Sequence, residues 1–335
     1  MKVLRYIAYT LGTLLTLSVI GLLIALWAYQ DIPADVLEAK YANEASRFMN
    51  IDGVRVHYRD EGEGPVIVLV HAHFASLLGW DPWVEALKDK YRVIRFDMTS
   101  HGLTGPDPSG DYTVERTVDL AEKFIDAMGL EELSIGGTSL GGTVALHFAS
   151  RHPERVDKLI LLSPGSLEGK EQMKRRGKPG KSASVLEYIL PRFIPEYMLS
   201  SAWGKTSELP QDLVDQWYDM WMREGQREAE VERLRQYEAG DLEGVIAGVQ
   251  APVLILWGEA NPQAPVEQAP EFIELLTNAE SVKLKIYPGV GHMAVQEAGD
   301  ITGADVRAFM DGTLDLPDQK HDGAASLSDN ETSSH

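Results

Sequence analysis

Ser139 sits in Gly137-Thr138-Ser139-Leu140-Gly141, a G-x-S-x-G pattern. Two glycines and a serine meet often by chance, so the setting decides the value of the motif. An apolar run, LSIGG (133–137), precedes it, and a helical pattern, LGGTVALHFASRHP (140–153), follows. That is the strand–turn–helix context in which a serine becomes a nucleophile. The turn forces the serine into a strained backbone conformation, and the flanking glycines remove Cβ clashes. The Leu140 N–H then lies at a helix N-terminus, where an oxyanion is stabilised. A serine nucleophile needs a base. Of the nine histidines, His292 is the best placed, in the Gly-flanked loop of YPGVGHMAVQEA before the last helical pattern. The chemistry implied is acyl transfer through a covalent intermediate on Ser139.

Periodicity shows the elements that must position these residues. FMNIDGVRVHY carries two strand-like runs around Asp52-Gly53, a hairpin signal. PVIVLVH (65–71) is continuously apolar, as a parallel strand buried on both faces must be. WDPWVEALKDK reads as a helix and YRVIRFD (91–97) as the next strand. TVERTVDLAEKFIDAMGL (113–130) is an amphipathic helix with Thr113 as N-cap and Gly129 near its stop. KLILLSP (158–164), PVLILWG (252–258) and VKLKIYP (282–288) are further strands, and a final helix covers about 295–311. Such alternation implies an α/β fold, a parallel sheet with helices on both faces. Residues 47–164 and 250–313 supply this core, and 165–249 reads as an all-helical insertion, a cap over the sheet edge. Within the cap, Trp217, Tyr218, Met220, Trp221 and Met222 form an apolar stripe. Most of it packs cap on core, while Trp217 and Trp221, one turn apart, would roof an apolar substrate pocket.

Composition narrows the function. The net charge of −20 argues against a nucleic-acid partner, which requires clustered Lys and Arg. The chain has no cysteine, which excludes disulfides, thiolate metal sites and a Cys nucleophile. No Cys/His cluster suggests a metal, and no phosphate-binding glycine loop suggests a nucleotide cofactor. From Tyr6 to Gln30 there is no charge, and residues 1–30 read as a membrane anchor. Lys2 and Arg5 precede the apolar stretch and Asp31, Asp35 and Glu38 follow it, so the N-terminus is expected inside and the body outside the cytoplasm. A cleaved signal peptide is the rival reading, and either way the body is exported. Residues 31–46 read as a polar tether, and 314–335 as a disordered tail. The basic run KEQMKRRGKPGK (170–181) is a solvated loop or a contact for anionic headgroups.

These motifs together resemble the α/β-hydrolase superfamily, in particular meta-cleavage-product hydrolases, haloperoxidase-like esterases and haloalkane dehalogenases. VIVLVHAHFAS, VIRFDMTSHGLTG, HFASRHPERVDKLILLSP, PVLILWGEANPQAP and YPGVGHM carry the resemblance over about residues 47–313. It implies a mostly parallel eight-stranded sheet with the cap inserted after strand 6, and the chain order Ser, acid, His. Dehalogenases of this branch use Asp at the elbow, so Ser139 implies cleavage of a carboxylic ester, a related acyl group or a vinylogous C–C bond. It implies no cofactor.

Three loops depart from the family pattern. The usual H-G-x-G reads His71-Ala72-His73-Phe74, which makes the His73 N–H the second oxyanion donor and puts the bulk of Phe74 at the pocket mouth. The usual D-x-P-G-H-G reads Asp97-Met98-Thr99-Ser100-His101-Gly102, a change expected to be structural. In G-E-x-D the triad acid becomes Asn261. Asparagine accepts a hydrogen bond from imidazole but carries no charge, and it can select the wrong tautomer. Three readings follow: Glu259, two residues earlier, substitutes as the acid or is merely a loop residue; the enzyme is slow; or the chain is an impaired homologue that binds an apolar ligand.

Overall fold

The computed structural model describes residues 2–164, 185–238 and 240–320. Eight strands are present: β1 (Ser46–Ile51), β2 (Val54–Glu61), β3 (Val66–Val70), β4 (Arg92–Phe96), β5 (Leu133–Thr138), β6 (Val156–Leu162), β7 (Val253–Gly258) and β8 (Val282–Tyr287). They form one sheet in the order β1-β2-β4-β3-β5-β6-β7-β8. The pairings β1–β2 and β2–β4 are antiparallel, and the rest are parallel. This is the α/β-hydrolase fold with the mostly parallel eight-stranded sheet that the resemblance implied.

The apolar strands explain the layers. In β3, Val68 and Val70 enter one buried cluster with Val118, Phe124, Val144 and Phe148. Ile67 and Leu69 point the other way, into a cluster with Trp83, Leu87, Val306 and Phe309. A strand apolar on both faces must be covered on both. The covering helices follow in chain order after α1 (Lys2–Ala28) and α2 (Ala34–Tyr41): α3 (Asp81–Leu87), α4 (Val114–Ala127) and α5 (Leu140–Arg151). The cap contributes α6 (Phe193–Ala202), α7 (Gln211–Trp221) and α8 (Gln226–Gln236) between β6 and β7. Then come α9 (Leu242–Ala247), α10 (Ala269–Leu275), α11 (Ala294–Glu297) and α12 (Gly299–Met310).

Three boundaries differ from the sequence reading. Helix α9 belongs to the core, because Leu242, Ile246 and Val249 join the buried cluster over α5; the cap therefore ends earlier than residue 249. Residues 318–320 are not a free tail. Asp318 Oδ1 accepts from Val282 N at 3.1 Å, and Gln319 N donates to Val282 O at 2.8 Å. Strand β8 is a sheet edge, and this segment satisfies backbone groups at its start. Residues 31–46 hold α2 and strap the cap. Ile32 N donates to Met222 O at 2.7 Å, Glu224 N donates to Ile32 O at 3.0 Å, and Arg227 pairs with Asp31 at 2.5 Å. Helix α1 is one 27-residue helix, long and apolar enough to cross a membrane. The basic run 170–181 and the end of the tail, 321–335, lie outside the described residues.

Candidate active site

Ser139 stands between β5 and α5 with φ 52° and ψ −119°. A non-glycine residue held there carries strain of about 1–3 kcal/mol. The turn is possible because its neighbours lack side chains. A Cβ on Gly137 would lie 2.1 Å from Gly141 O, and one on Gly141 would lie 2.1 Å from Val70 O. The helix start is thereby drawn against β3. Leu140 N and His73 N, the two donors expected of the oxyanion hole, have no backbone acceptor among the described residues. Thr138, next to Ser139, lines a narrow crevice of about 10 Å³ with His71, Ala72, His292 and Met293.

The acid position is a built site. Asn261 follows β7 and is buried. Its Oδ1 accepts from Gln263 N at 3.0 Å and from Ala264 N at 3.1 Å. It also accepts from His292 Nδ1 at 3.2 Å. The two backbone donors fix which end of the amide faces the loop, because a flipped Nδ2 would meet N–H groups. The tautomer follows: Nδ1 of His292 carries the proton and Nε2 keeps its lone pair. The loop amides of Gln263 and Ala264 thus favour the tautomer that leaves Nε2 unprotonated. What is missing is charge. Burial pushes the His292 imidazole down to about 4. Asn261 Nδ2 is buried with no partner among the described residues. Glu259 does not take the acid's place. It is exposed, and its Oε2 accepts from Gly289 N at 3.0 Å. Ser139 Oγ and His292 Nε2 share no hydrogen bond among the described residues, and such contacts commonly form only with substrate.

Glu297 was not anticipated from sequence. Its carboxylate accepts from Gly204 N at 2.7 Å, Gly291 N at 2.9 Å and Met293 N at 3.1 Å. His292 N donates to Ala202 O at 2.7 Å. The histidine loop is thus sewn to the cap segment that follows α6. Trp217 is buried among Ala72, Ala75, Leu199 and Met293, so it bridges the oxyanion loop and the histidine loop. Trp221 lies on Phe74, with ring centroids 4.5 Å apart.

A buried polar cluster from α8 was also missed. Glu230 Oε2 accepts from His73 Nε2 at 2.6 Å, and Ser100 Oγ donates to Glu230 Oε1 at 3.2 Å. Arg233 Nη2 donates to Thr99 O at 2.6 Å and Ser100 Oγ at 3.0 Å. Burial opposes ionisation of Glu230, yet His73, His101 and Arg233 hold it down to about 2. His101 donates Nδ1–H to Thr99 O at 2.9 Å, and burial drives it far toward the neutral form. The one sequence signal was spacing: Arg227, Glu230 and Arg233 recur every three residues on one helix face. Asp97 itself ties its loop to neighbouring backbone. Asp97 accepts from Leu77 N at 2.7 Å, Leu103 N at 2.9 Å and His57 Nδ1 at 2.7 Å.

A family model for the alpha/beta hydrolase fold matches residues 65–198. The chain is 27% identical over 261 residues to the 2-hydroxy-6-oxo-6-(2'-aminophenyl)hexa-2,4-dienoic acid hydrolase of Metapseudomonas resinovorans, covering 75% of this chain and 86% of that one. It resembles the crystal structure of a serine hydrolase involved in carbazole degradation, CarC, with 26% identity and a TM-score of 0.68, covering 79% of this chain and 98% of that one. A membrane phospholipase A shares the fold at a TM-score of 0.69 and 22% identity, covering 92% of this chain and 99% of that one.

Proposed function

We propose that this chain, which has the α/β-hydrolase fold and is similar to hydrolases of that fold, is a serine hydrolase acting on a small to medium apolar carboxylic ester or related acyl compound. The observation that carries the reading is the fixed Asn261 Oδ1, which leaves His292 Nε2 available as a base, together with a Ser139 held strained at the turn between β5 and α5. In this reading Nε2 takes the Ser139 proton as Oγ attacks the carbonyl carbon. The Leu140 and His73 N–H groups hold the oxyanion, His292 returns the proton to the leaving group, and water releases the acid by the reverse sequence. These steps call on no cofactor. Trp217, Trp221 and Phe74 give the apolar wall. Helix α1 suits a single-pass anchor with the N-terminus inside and the body outside the cytoplasm.

Labelling by a fluorophosphonate probe tests the reading. The full-length protein labels, and Ser139→Ala does not. A folded protein that never labels favours an impaired homologue that binds an apolar ligand, the reading that the uncharged Asn261 supports.

A further inference from the structure

Two loops beside the site have lost a glycine and kept the glycine's backbone. Phe74 has φ 64° and Ser100 has φ 58°. Each stands where the resemblance expects glycine, and at φ in this range a side chain is strained. Something must hold both loops, and the contacts identify it. His73, whose N–H is the second oxyanion donor, is stacked on Phe74 with centroids 3.7 Å apart. The same His73 ring is gripped by Glu230, and Ser100 is bonded by both Glu230 and Arg233. Both gripping residues come from one cap helix, α8, and both are buried. Trp221, at the end of α7, covers the other side of Phe74.

We propose that Glu230 and Arg233 are positioning residues: the cap, by clamping His73 and Ser100, supplies the constraint that glycines supply in relatives, and the oxyanion hole is assembled only while α8 is docked. The inference rests on the serine-hydrolase reading above. It predicts that catalysis and cap docking are one event. A substrate must enter past the cap, and the His73 N–H reaches its place when Glu230 closes on the ring.

The test is a cycle between Glu230→Gln and Phe74→Gly, measured on p-nitrophenyl esters and by the rate of fluorophosphonate labelling. Glu230→Gln keeps the shape and loses the charged grip. Loss or misplacement of one oxyanion donor costs on the order of 10²–10³ in kcat. We therefore expect kcat to fall about 10²-fold with KM changed less than about threefold. Glycine at position 74 removes the strain, so in the Glu230→Gln background it is expected to recover at least about tenfold of the loss. Should Glu230→Gln not fold, His73→Ala removes the gripped ring while keeping its N–H, and it must reproduce the kcat loss. The proposal is overturned if these variants fold and keep parental kcat and labelling rate. It is equally overturned if Phe74→Gly rescues nothing, which would mark Glu230 as structural. Parent protein that labels at Ser139 separates either failure from failure of the hydrolase reading; parent protein that does not label overturns both.

Discussion

Returning the missing charge is the most informative perturbation. In Asn261→Asp the carboxylate would stand where Oδ1 now accepts His292 Nδ1–H at 3.2 Å, with the Gln263 and Ala264 amides already pointing at it. The loop therefore needs no rebuilding. Two unit charges about 4 Å apart at an effective dielectric of about 20 attract by about 4 kcal/mol. That is about 3 pKa units, or about 10³ in an equilibrium constant. Imidazolium forms only partly in the transition state, so kcat at pH 8 should rise about 10²–10³-fold. This is less than the factor of about 10⁴ lost when a serine protease triad is neutralised, part of which is a wrong tautomer; here the tautomer is already right. The pH profile gives a second readout. In the proposed mechanism neutral His292 is the active form, and burial lowers its pKa to about 4. The parent should keep its activity down to about pH 4, whereas the acid limb of Asn261→Asp should move to about pH 7. At pH 5 the gain should shrink to tenfold or less, by roughly the two decades of protonated base. Stability runs the same way. Between about pH 6.5 and 4 the unfolded parent binds a proton at His292 that the native chain does not, so the parent loses stability as pH falls through that window. Initial rates on a p-nitrophenyl ester from pH 4 to 9 decide the matter. A folded variant with less than a tenfold gain at pH 8, or an unmoved acid limb, would refute His292 as the base working against position 261.

Two further outcomes follow from the loops. Glu259→Gln should leave ester turnover within about twofold of the parent, since surface substitutions away from special features are near neutral and this carboxylate faces solvent and Gly289; a loss above tenfold would reinstate it as the acid. Glu297→Ala orphans the amides of Gly204, Gly291 and Met293 together. It should cost about 2–4 kcal/mol in urea unfolding and lower kcat more than it raises KM, because the loop it releases carries His292; an unchanged midpoint would show that the cap and histidine loop are held by other contacts.

The parts legible in the sequence are those encoded locally. β3 reads as VIVLV because both faces must be apolar, and Ser139 is marked by glycines within two residues of it. The missed parts depend on partners far along the chain. Glu230 reaches His73 across 157 residues, and in EAEVERLRQ its charge reads as a solvated helix face. Glu297 holds Gly204 across 93 residues. The orientation of Asn261 was hidden for a different reason. Residue type gives an amide with two unlike ends, and only the Gln263 and Ala264 N–H groups decide which end meets the histidine.

The departures from the family pattern are better understood jointly than one by one. Phe74 and Ser100 each carry a strain of about 1–3 kcal/mol, as does Ser139. A protein needing only an apolar cavity would gain stability by relaxing all three, since none contributes to a ligand wall through its backbone angle. Instead each strained residue is held by a specific contact: Ser139 by the close approach of Gly141 to Val70, Phe74 by His73 and Trp221, and Ser100 by Glu230 and Arg233. The angle at Ser139 aims a hydroxyl, and those at Phe74 and Ser100 set the loops carrying His73 and His101. Strain held in place by a backbone approach at Ser139, by aromatic contacts at Phe74 and by buried ionic residues at Ser100 is what the proposed hydrolase reading expects of a site kept for chemistry. Asn261 fits the same pattern: its charge is gone, but the geometry that orients the base is intact.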